Sequence, residues 1–84
     1  MDKELLYITN NMKAYRARAG YLQEQVAELL GVSRATYCDY EVNPQKVKIE
    51  TFKKLSEIYN CKLSDFFLET KVTLSDNNQE IKEE

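Results

Sequence analysis

"Gly31-Val-Ser-Arg-Ala-Thr-Tyr-Cys-Asp-Tyr-Glu41" is the stretch on which the fold turns. Ser33 sits where a helix N-cap belongs, one residue ahead of the run from Arg34 to Glu41. A serine hydroxyl there accepts from a backbone N–H of the first helical turn. Gly31, two residues earlier, follows the apolar face of Val26, Ala27 and Leu30 and supplies the positive φ that ends a helix. The stretch is therefore read as a helix end, a tight turn and a new helix.

Outward from it the pattern stays helical. Upstream, Leu5, Ile8, Met12, Tyr15 and Ala19 recur at three- and four-residue spacing, with Asp2 as N-cap and Gly20 as terminator. Both glycines of the chain fall just past a helical pattern. Downstream, residues 42–48 carry the single proline and no period, which predicts a loop. Ile49, Phe52, Leu55 and Ile58 then share one face of a fourth helix. Ser64 is read as a second cap, opening a short fifth helix at Asp65–Leu68. The expectation is an all-α, compact five-helix domain over residues 1–68, with the helix-turn-helix at about 23–41.

Composition bounds the rest. The chain has 84 residues, which predicts a single domain, and small domains bury only about 60% of their unfolded surface. Its formal net charge is −2. From Glu69 to Glu84 five acidic residues face two basic ones, a net of −3, which leaves residues 1–68 at +1. The segment 69–84 is read as an acidic flexible tail whose lead-in, residues 70–74, alternates like a brief strand. No apolar run approaches the roughly 20 residues a membrane span needs, so a soluble cytoplasmic protein is expected. Cys38 and Cys61 form no CxxC and there is no histidine, which argues against a disulfide framework, a metal site or any cofactor. Without a histidine base, a phosphate-cradling glycine loop or a nucleophile beside a base, catalysis is not expected.

The residues from Ala19 to Glu41 resemble the Cro-repressor type of helix-turn-helix, the XRE or lambda-repressor-like family. The match runs through Arg16, Gly20, Gln23, Ala27, Gly31-Val32-Ser33 and Tyr40-Glu41, and residues 49–67 fit the fourth and fifth helices without a gap. The resemblance covers roughly residues 7–68. It implies a domain that binds double-stranded operator DNA, commonly as a homodimer, to regulate transcription.

On a wheel of about 100° per residue, Tyr37 and Tyr40 share the core side of the third helix. Arg34, Ala35, Cys38 and Asp39 lie on the opposite arc, which faces the major groove in such a domain, with Thr36 at its border. Arg34 suits a bidentate contact to guanine. Ala35 and Thr36 offer methyl groups to thymine, and Thr36 can instead support the helix. Asp39 is repelled by phosphate yet can accept from cytosine N4. Gln23, Asn43 and Lys46 are the candidates for backbone phosphate, with Lys48 left open. The resemblance also implies a structural ion pair between Arg16 and Glu41. Cys38 on this arc is either an inert thiol or a redox reporter.

Two departures from the family pattern stand out. Leu22 occupies the N-cap position before Gln23, which costs roughly 1 kcal/mol of capping unless it packs as a hydrophobic staple. Val42 replaces an amide after Glu41. These, with Asp39 and the acidic tail, sustain an alternative: a protein-interaction module on the same fold, an antitoxin or anti-regulator. Residues 65–74 are the candidate dimer surface, and no small-molecule effector site is evident.

Overall fold

Among the described residues the chain forms four α-helices and two 3₁₀ turns. The computed structural model describes residues 2–69. The helices are α1 (Lys3–Ala19), α2 (Gln23–Leu30), α3 (Arg34–Val42) and α4 (Ile49–Ile58). The element expected as a fifth helix is a 3₁₀ turn, Leu63–Phe67, and the loop after α3 contains another, Pro44–Lys46. The described residues contain no strand. The strand expected at residues 70–74 and all but the first residue of the acidic tail lie outside the described residues. Among the described residues no helix is long and apolar enough to cross a membrane.

Local chemistry sets the boundaries. Asp2 Oδ1 accepts from the Glu4 N–H at 2.8 Å and opens α1. Gly20 (φ 80°) and Gly31 (φ 76°) end α1 and α2 in the left-handed region that glycine enters without a side-chain clash. Asn60, at φ 55°, performs the same office after α4. Ser33 Oγ accepts from the Thr36 N–H at 3.0 Å, capping α3. Ser64 is not a cap: the last turn starts one residue earlier, and Asp65 Oδ2 accepts from the Lys62 N–H at 2.9 Å.

The core draws on every helix: Met12 from α1, Val26 and Ala27 from α2, Tyr37 from α3, Phe52 and Leu55 from α4, then Tyr59 and Phe66. Phe66 is the wedge, with ring centroids 5.9 Å from Tyr15, 5.6 Å from Phe52 and 6.3 Å from Tyr59. The buried Asn11 amide donates to the carbonyls of Phe66 (2.9 Å) and Leu68 (2.7 Å), tying the closing turn to α1. Ile49, read as a core residue, is 61% exposed. It is the first residue of α4, and side chains lean toward a helix N-terminus, so it projects past the last packed turn. Phe67 and Leu68 are exposed beside the buried Phe66.

Candidate nucleic-acid interface

Gly31 turns the chain between α2 and α3, which pack against each other. One side of α3 is fixed by a buried polar network. Glu41 is fully buried, with a carboxylate that accepts four contacts. Arg16 Nε donates at 2.7 Å and Arg16 Nη2 at 3.4 Å, Gln23 Nε2 at 3.0 Å, and the Tyr37 hydroxyl at 2.6 Å. Tyr37 has a single hydroxyl proton and directs it at Glu41, so the Tyr59 hydroxyl, 2.6 Å away, donates to Tyr37. Arg16 Nη1 closes the system on the Tyr21 carbonyl at 3.1 Å. α1, α2 and α3 thus meet at one carboxylate, and the end of α4 joins them through the Tyr37 hydroxyl.

The network explains the shifted ionisation around it. Burial raises the Tyr37 hydroxyl pKa, and the hydrogen bond to Glu41 raises it further. Burial likewise pushes Tyr59 up to about 12. For Arg16, burial lowers the pKa but the bond and charge of Glu41 outweigh it. Sequence reading places Arg16 and Glu41 together. It misses the two tyrosine hydroxyls, whose partners lie 4 and 22 residues away and across the core.

The other side of α3 faces outward. Arg34 and Ala35 are exposed at its first turn. Thr36 is half-buried, and its Oγ1 accepts from Ser33 Oγ at 2.9 Å, so it braces the cap while keeping its own hydroxyl proton. Cys38 is less open than the wheel suggests: it is half-buried, and its thiol donates to Gln23 Oε1 at 3.0 Å. Gln23 consequently bridges α2 and α3 through both ends of its amide, with one amide proton left over. Leu22, 65% exposed, is no staple. Its N–H instead donates to Gln25 Oε1 at 2.8 Å, half of a capping box whose other half needs a side-chain oxygen that leucine lacks.

Asp39, Asn43 and Lys46 form one cluster at the far end of α3. Asn43 Nδ2 donates to Asp39 Oδ1 at 2.7 Å, and Lys46 Nζ pairs with Asp39 Oδ2 at 3.2 Å. The bond from Asn43 and then that from Lys46 hold the Asp39 carboxyl below its ordinary pKa. The 3₁₀ turn at Pro44–Lys46 is what folds the lysine back along the helix.

The helix-turn-helix family model matches residues 12–66. The chain is 35% identical, over 68% of its own length and 52% of the relative's, to an SPbeta prophage-derived uncharacterized HTH-type transcriptional regulator of Bacillus subtilis. It is 26% identical, over 81% of itself and 61% of the relative, to the cryptic phage CTXphi transcriptional repressor of Vibrio cholerae. It is 33% identical, over 57% of itself and 51% of the relative, to the antitoxin HipB of Escherichia coli. The chain therefore spans about half, and at most 61%, of the length of these three relatives. No solved structure gives a significant match. With its cap, turn, buried anchor and helix order in register over most of the described residues, the chain belongs to the Cro-repressor (XRE, lambda-repressor-like) helix-turn-helix family.

Proposed function

We propose that this protein is a sequence-specific DNA-binding regulator of transcription, of the phage-repressor kind, that reads the major groove with α3. The observation that carries the reading is the division of α3 into two sides. Its inner side is locked to α1 and α2 through Glu41 and to the end of α4 through Tyr37, while its first turn presents Arg34 and Ala35 to solvent. A reading head needs both, because a rigid helix is what turns a side-chain contact into base discrimination.

In this role Arg34 addresses guanine, and Ala35 and the Thr36 methyl meet thymine. Gln23, through its spare amide proton at the start of α2, together with Asn43 and Lys46, takes backbone phosphate on either flank. A two-fold operator bound by a homodimer would place half-sites about one helical turn (34–36 Å) apart. Kinship with two phage or prophage transcriptional regulators supports this reading.

A second reading has its own support. The likeness to an antitoxin, with Leu22, Leu29 and Val42 exposed, suits a module whose partner is a protein. Selection from random duplex DNA at low salt separates the two. A regulator enriches a palindrome; a protein-interaction module enriches nothing.

A further inference from the structure

Asp39 is the one acidic side chain on the outward arc of α3, and both of its carboxylate oxygens are taken by protein groups. The two donors are the amide of Asn43 and the ammonium of Lys46, two of the three groups assigned above to phosphate. The 2.7 and 3.2 Å contacts are those a phosphate oxygen would make with the same donors. The carboxylate is also accessible, its side chain being 42% exposed, so solvent or a phosphate can reach the cluster.

We infer that Asp39 stands in for phosphate: it holds Asn43 and Lys46 in the free protein and competes with DNA for them. The inference rests on the DNA-reading role proposed above and assigns Asp39 a different part in it from cytosine recognition. Cytosine recognition by Asp39 would act at one base pair, whereas a competitor for the donors acts on every sequence alike. Two consequences follow from the charges. Lys46, its charge shared with Asp39, attracts phosphate less, so sequence-independent affinity is low. The carboxylate also lies close to phosphates and offsets the lysine's charge, which flattens the salt dependence that counterion release would give. Base contacts from Arg34 are untouched, so weak binding to arbitrary DNA raises the relative preference for the right site.

The test is a mutant cycle on the full 84-residue chain. It comprises the native protein, Asp39→Asn, Lys46→Ala and the double variant, titrated by fluorescence anisotropy against a random-sequence duplex and the selected palindrome over a range of salt. Asp39→Asn should tighten binding to both duplexes about two- to fivefold, the scale of an exposed ion pair. It should steepen the salt slope by up to about one. Lys46→Ala should cost more when Asp39→Asn is already in place than in the native protein, because only then is the lysine's charge not shared with an internal carboxylate. The inference is overturned if Asp39→Asn leaves the random duplex unchanged and alters preference at one C·G pair; the DNA-reading role would survive that result. If neither the native protein nor Asp39→Asn binds either duplex while circular dichroism shows both folded, the DNA-reading role fails and the inference with it.

Discussion

Glu41 is the carboxylate around which the buried polar network is built. It is wholly buried and held by Arg16, Gln23 and Tyr37. A buried pair adds little over a well-packed apolar one, but breaking it leaves an uncompensated group in the interior. Arg16→Met should therefore cost about 3–5 kcal/mol, a large share of a domain's roughly 5–15 kcal/mol. Urea denaturation followed by far-ultraviolet circular dichroism measures it, and a loss below about 1 kcal/mol would mean the carboxylate finds other partners. The ion pair is legible because both residues sit at matching places in the family pattern. The tyrosine hydroxyls are not, because a period of three and four marks Tyr37 as inward-facing without saying what its oxygen meets. Asn11 escapes the sequence for the same reason: its acceptors, the carbonyls of Phe66 and Leu68, come from the opposite end of the described chain.

At the level of elements the sequence is easiest to read where a single side chain does the local work. Asp2, Gly20, Gly31 and Ser33 each act on backbone groups within a few residues, and the structure puts each at its expected helix end. Ile49 and Ser64 depart from expectation because a helical wheel has no ends: it does not show that α4 begins beyond the packed layer, or that the last turn starts at Leu63. The start of α2 carries the clearest remaining defect. Leu22 has the extended backbone of an N-cap (φ −82°, ψ 158°) and is largely exposed, and Gln25 already provides the returning contact. Leu22→Ser completes the capping box and should stabilise the domain by about 1 kcal/mol. Differential scanning calorimetry should show Tm rising about 4–8 °C, as expected for a domain of this size. No rise would mean that the leucine makes an apolar contact worth as much as the cap.

For the whole molecule, the network joining four elements makes the fold sensitive to alkali. Tyr37 and Tyr59 have native pKa values raised above the ordinary 10.0. The native state thus holds these protons more tightly than the unfolded chain does. Their contribution is complete below pH 10 and is lost as pH rises through the native values, about 12 for Tyr59. Urea midpoints should stay level in this respect between about pH 7 and 9 and fall beyond about 10. The Tyr37 phenolate should appear in the ultraviolet spectrum only on unfolding. Ionisation of all six tyrosines near pH 10 with the fold intact would contradict the buried network.

The most direct test of the reading head is Arg34→Ala on the selected palindrome and on a scrambled duplex, both titrated by anisotropy at several salt concentrations. A guanine contact predicts a loss of about 1–3 kcal/mol on the palindrome, a relaxed preference at one base pair, and a much smaller loss on the scrambled duplex. Equal losses on both duplexes would reduce Arg34 to a phosphate contact. No loss on either would remove α3 from the DNA interface.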